Sequence, residues 1–190
     1  MKKALIIIDM LVKDMATFPR KKRLIQNQVA LVQAFKKHNH KIILVGGTKD
    51  GKPSKKKIPP NPVMLKLWGD ESLNKKGKRL SPDQLQVIPE LLQGPYDLYI
   101  QKNEYSAFYK TALESYLRKN KITEVYLAGI YAGCCVYFTG VDAAMRGIQP
   151  ILLTDAAASP SKKTMRRNMD NFITFLGPAL STKQVIQKLK

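Results

Sequence analysis

The chain has 190 residues, 44% of them hydrophobic, and carries 33 Lys and Arg against 14 Asp and Glu, a formal net charge of +19. That length can bury a core without disulfides or a structural metal, and its two cysteines, adjacent at Cys134 and Cys135, rule out a disulfide framework and fit a reducing, cytoplasmic compartment. No apolar run approaches the roughly 20 residues of a membrane span, and the basic clusters lack the aromatic interleaving or reader motif of nucleic-acid modules, so specific nucleic-acid binding is disfavoured and the charge is read as solvated surface or as steering for small anions.

Taken from the start, Met1-Lys2-Lys3 and the run Ala4 to Ile8 resemble a secretory leader until Asp9 breaks the apolar stretch, so the segment reads as a buried strand ending in a carboxylate. Leu24, Val29, Leu31, Val32 and Phe35 then recur at helical spacing. His38 and His40, the only two histidines, follow at the helix end, too few for a zinc cluster. Lys41 to Val45 is a second strand. Gly46 to Lys52 nearly spells a phosphate-binding loop, but Pro53 stands where a magnesium-holding hydroxyl is required.

From Gly46 to Leu80 glycine, proline and lysine crowd out periodicity, which predicts a long loop or lid with a turn at Val63 to Trp68, where Met64, Leu67 and Trp68 are placed to close over a pocket. Ser81-Pro82-Asp83-Gln84 is a capping box predicted to open a helix through about Leu92. Strand character returns at Leu98 to Gln101, Val125 to Ala128 and Ile151 to Thr154. Helical spacing lies between them, at Tyr109, Leu113 and Leu117 and again at Val136, Thr139, Gly140 and Ala143, while Ser181 to Gln184 caps a last helix. Strand and helix in alternation predict one α/β domain over residues 1–190, a three-layer α/β/α, Rossmann-like unit whose mostly parallel sheet has helices on both faces.

Asp9, Lys102 and Cys135 each follow a predicted strand, and open parallel sheets gather their ligand sites at that edge. Each has an ordinary role available: a turn-capping carboxylate, a solvated lysine, a buried thiol. Three strand ends supplying Asp, Lys and Cys together point instead to nucleophilic acyl chemistry. Cys135 stands at the mouth of the helix, where the dipole is expected to lower its pKa, and Cys134 is read as a packing thiol.

The strand ending in Asp9, Val87-Ile88-Pro89-Glu90, Lys102 with Tyr105 to Phe108, Gly129-Ile130, Cys135-Val136, Thr139, Asp142-Ala143, Gly147 and Asp155-Ala156 together resemble the isochorismatase-like cysteine hydrolases over nearly the whole chain. The resemblance implies Cys135 as nucleophile, Asp9 as general base and proton shuttle, and Lys102 as the orienting cation. It also implies a cis peptide at Ile130–Tyr131, an oxyanion hole of the Tyr131 and Cys135 N–H groups, a substrate pocket involving Trp68, Phe108 and Tyr131, and assembly into homo-oligomers. Two departures stand out. Ala132 occupies a position where the family commonly has threonine, and the aspartate-and-histidine metal pattern of nicotinamidases is missing after Asp50. The expected activity is therefore a metal- and cofactor-independent hydrolysis of an amide, ureido or imide C–N bond in a small, anionic substrate, ahead of isochorismatase-type ether hydrolysis or a catalytically silent binding role.

Overall fold

The computed structural model describes residues 2–47, 62–70, 73 and 76–189. Its sheet runs through β1 (Lys2–Ile8), β2 (Lys41–Gly46), β3 (Leu98–Gln101), β4 (Ile122–Ile130), β5 (Gln149–Ala158) and β6 (Ala179–Leu180). The strand order is β3-β2-β1-β4-β5-β6 and every neighbouring pair is parallel. This is the doubly wound arrangement, and its order reverses between β1 and β4.

Two-residue periodicity explains the layers. Leu5 and Ile7 of β1, Ile42 and Leu44 of β2, and Tyr126 and Ala128 of β4 face one way, onto Leu31, Val32 and Phe35 of α2 (Lys21–Lys37) and Val185 of α8 (Thr182–Lys188). Ile6, Ile8, Ile43, Val45, Val125 and Leu127 face the other way. They meet Leu113 and Leu117 of α5 (Leu113–Lys119), Val136 and Ala143 of α6 (Cys135–Met145) and Phe172 of α7 (Lys162–Phe175). Burial on both faces is why the strands read as continuous apolar runs. Amide side chains tie α2 to β5: Asn27 Nδ2 donates to the Asp155 carbonyl at 2.7 Å and Gln28 Nε2 to that of Ala156 at 2.8 Å.

The five predicted strands and the Ser181 capping box are all present. The helix predicted from Ser81 through Leu92 is not continuous. Its capping box opens only a 3-10 turn, Pro82–Leu85, and a separate turn, α4 (Pro89–Leu92), follows. Between them the backbone pairs with the segment after β1: Val12 N–H donates to Gln86 O at 3.0 Å and Ile88 N–H to Met10 O at 2.8 Å. Pro89 enforces the break, because it disfavours helical geometry at Ile88, whose ψ is 146°. Tyr109 lies outside α5, in the turns that precede it. The short β6 passes without a sequence signal, since two residues carry no periodicity.

A short helix, α3, spans Pro62–Trp68, where the turn was expected. Residues 48–61, 71, 72, 74 and 75 of the predicted lid, Asp50 and Pro53 among them, lie outside the described residues, as does the side chain of Trp68. No helix among the described residues is long and apolar enough to cross a membrane.

Candidate active site

The reversal between β1 and β4 leaves a crevice at the carboxyl edge of the sheet, and three segments deliver side chains into it. Asp9 follows β1 directly; its N–H donates to Val45 O at 2.9 Å, and its φ of 54° turns the chain away from the sheet. That left-handed conformation is costly for most side chains and is better tolerated by aspartate. Lys102 follows β3, two strands away, its N–H held by Gly46 O at 3.2 Å. Cys135 is the first residue of α6, after the turn that leaves β4.

The turn before Cys135 is shaped by close approach. Gly129 has φ 110°, and a Cβ there would run into the backbone of Ile8. The next peptide bond, Ile130–Tyr131, is cis. Ala132, where the resemblance anticipates threonine, is fully buried in the apolar layer and donates its N–H to Ala158 O at 2.8 Å. Thr139, one turn into α6, locks this region to the lysine loop: its hydroxyl donates to Cys135 O at 2.7 Å and accepts from Ala107 N–H at 3.1 Å.

These constraints bring the three predicted residues together. Lys102 Nζ donates to Asp9 Oδ2 at 2.7 Å, to Cys135 Sγ at 3.5 Å and to the Glu104 carbonyl at 3.0 Å. The Lys102 side chain is only 7% exposed and that of Asp9 17%. Burial disfavours the ammonium, but Asp9 and Cys135 outweigh it and hold the Lys102 pKa above its ordinary value.

The thiols depart from expectation. The Cys134 and Cys135 thiols interact, so the protonation of each affects the other. The bond to Cys134, burial and the charge of Asp9 push the Cys135 thiol well above its usual pKa, more than Lys102 pulls it down. Cys134 moves the other way, lowered by its bond with the Cys135 thiol against the effect of burial, with help from Lys102 and the Cys135 N–H. Adjacency, visible in the sequence, was a signal for this coupling, but nothing in the local pattern told which sulfur ionises first.

The three residues line a cavity of about 110 Å³ together with Leu11, Asp14, Met64, Glu104, Tyr105 and Tyr131. Met64 and Tyr131 thus stand where the sequence placed pocket residues. Phe108 does not: it is 5% exposed in the apolar layer, under the Arg146 guanidinium at 4.9 Å, because the chain after Lys102 turns its ring towards α6. Leu67 points outward, 64% exposed. Asp14, Glu104 and Tyr105 were not anticipated as lining; Asp14 sits in the single turn α1 (Val12–Met15), at the sheet edge five residues beyond Asp9. Among the described residues no cluster of His, Cys, Asp and Glu is arranged to hold a metal ion.

The isochorismatase domain model matches residues 3–184. The chain belongs to the isochorismatase family. Phenazine biosynthesis protein PhzD1 of Pseudomonas aeruginosa is 32% identical over 125 residues, which is 66% of this chain and 58% of that protein. The chain thus spans only a little over half the length of this curated relative. Among solved structures, N-carbamoylsarcosine amidase from Thermoplasma acidophilum superposes with a TM-score of 0.77 at 25% identity, covering 96% of this chain and 97% of the other. Nicotinamidase/pyrazinamidase PncA from Bacillus subtilis superposes with a TM-score of 0.69 at 27% identity, over 95% of this chain and all of that one. The family's α/β sheet with flanking helices is the fold seen here.

Proposed function

We propose that this isochorismatase-family protein hydrolyses a C–N bond of a small amide or ureido compound through a thioester on Cys135. The observation that carries the reading is Lys102 Nζ bridging Asp9 and Cys135 at 2.7 and 3.5 Å in the lining of one cavity. The Cys134 thiol, burial and the charge of Asp9 all favour the neutral form of the Cys135 thiol, against the pull of Lys102. Cys135 Sγ attacks the carbonyl carbon while its proton passes to Asp9, and the C–O π pair moves onto oxygen. The Tyr131 and Cys135 N–H groups receive that oxyanion.

Asp9 then protonates the departing nitrogen, the C–N bond breaks, and ammonia or an amine leaves the thioester. Water, deprotonated by Asp9, attacks the thioester; the acid departs and the proton returns to Cys135. Lys102 remains an ammonium throughout, keeping Asp9 oriented and offsetting the charge that develops on sulfur. No step calls on a metal or cofactor.

The whole-chain charge favoured an anionic substrate, but the described walls do not reinforce it. They bring the carboxylates of Asp9, Asp14 and Glu104 to the cavity along with the ammonium of Lys102. A substrate small enough for about 110 Å³ fits this cavity. Self-association, carried over from the family resemblance, has apolar surface available on α6, where Phe138 is 44% and Met145 83% exposed.

Ammonia release from a panel of small amides, ureido acids and nicotinamide, after metal removal, tests the activity. Release by the wild type and none by a folded Cys135→Ala variant is expected. Equal release by both, or silence of the wild type across the panel, would reject C–N hydrolysis at this cysteine.

A further inference from the structure

A second cleft, about 430 Å³, opens beside the cysteine cavity at the carboxyl end of β5, between the beginnings of α2 and α7. Phe18, Leu24, Met165 and Met169 make its apolar wall, and Arg20, Arg23, Lys162 and Arg166 stand on its rim. None of these four cations forms an ion pair among the described residues. The one lining carboxylate, Asp155, is committed elsewhere: its Oδ1 accepts from both the N–H and the hydroxyl of Thr182 at 2.8 Å.

Helix polarity aggravates the crowding of positive charge. A helix N-terminus carries partial positive charge and is normally offset by acidic residues in the first turn. Neither α2, with 17 residues, nor α7, with 14, has an acidic residue there; both begin with lysines. Two positive helix ends and four side-chain cations therefore face one cleft against the single lining carboxylate of Asp155. That arrangement is self-repulsive in the free protein and is relieved by a bound anion. Three of the four are arginines, whose forked donors match a phosphate bidentately, and the apolar wall suits the organic part of a phosphate ester.

We propose that this cleft is a binding site for an organic phosphate, separate from the cysteine cavity and abutting it. The two share a partition. Phe18 of the cleft packs on Tyr131 of the cysteine cavity with ring centroids 6.1 Å apart, and Ala158 of the cleft holds Ala132 in the turn before Cys135. An occupant would therefore rest against the far side of the wall that bears the candidate oxyanion donor Tyr131.

Calorimetry with phenyl phosphate at 0.15 M salt, with inorganic phosphate as comparator, tests the site. Phenyl phosphate is expected to bind the more tightly. Exchanging both Arg23 and Arg166 for alanine should weaken it roughly tenfold or more, whereas the same charge change at Lys119 and Lys121, exposed on another face, should leave it nearly unchanged. Hydrogen exchange on the wild type should gain protection within 18–24 and 159–166. Cys135→Ala should bind as the wild type does, so the site stands or falls independently of the proposed hydrolysis. Equal weakening by the two double variants, indifference to the phenyl group, or protection elsewhere would overturn the proposal and leave only diffuse attraction to a basic surface.

Discussion

The interaction between the Cys134 and Cys135 thiols is the clearest handle on the site's chemistry. The largest influence raising the Cys135 pKa is its hydrogen bond with Cys134. Removing that thiol by Cys134→Ala is expected to move the midpoint of Cys135 alkylation to lower pH while preserving turnover; iodoacetamide labelling rates across pH, read by mass spectrometry, report the shift. An unchanged midpoint would mean that burial and Asp9 alone set it. Lys102 gives a second pH dependence. Its pKa is raised from 10.5, so the folded state holds this proton more tightly than the unfolded chain. The resulting stability is fully present below about pH 10.5 and is lost as pH rises towards the folded value. Thermal midpoints measured from pH 9 to about 11.5 should fall, less steeply in Lys102→Met, whereas an identical slope in that variant would detach the effect from Lys102. At this scale the sequence was partly legible. Asp9, Lys102 and Cys135 announced themselves by following strands, but the orientation of Phe108 depended on how one loop packs against α6, which no local spacing encodes.

The elements fail or succeed as a site at two junctions. Gly129 lets β4 pass the end of β1, and its φ of 110° suits glycine alone. Gly129→Ala is expected to cost more than about 4 kcal/mol, an exceptional loss for one methyl group, because the obstacle is backbone rather than a side chain that can swing aside; chemical denaturation measures it. Thr139 joins the lysine loop to the Cys135 helix through its buried hydroxyl. Thr139→Val keeps the shape but strands the Ala107 N–H, so a loss of roughly 1–3 kcal/mol is expected, accompanied under the proposed mechanism by reduced turnover because the segments bearing Lys102 and Cys135 loosen. Strands were readable because burial on both faces leaves unbroken apolar runs. The region after Ser81 was not, since its capping box is genuine yet the helix it opens gives way to pairing with Met10 and Val12.

Across the whole molecule, the doubly wound order brings residues 93 positions apart, Asp9 and Lys102, into contact. Alternating strand and helix patterns foretold the layers, but the position of the reversal between β1 and β4, and hence the crevice, came only with the assembled sheet. Among the described residues, the basic side chains other than Lys102 lie outside the lining of the cysteine cavity, while the whole chain carries a net charge of +19. Retention on heparin should therefore collapse with moderate salt and be equal in wild type and Cys135→Ala; salt-resistant retention would point to a specific polyanion interface instead. The central claim is covalent chemistry at one of two neighbouring sulfurs. Acid-quenching the protein during turnover of whichever amide it cleaves, then locating the added acyl mass by fragmentation, tests it most directly: the account predicts the acyl group on Cys135, and its appearance on Cys134, or its absence while turnover proceeds, would contradict it.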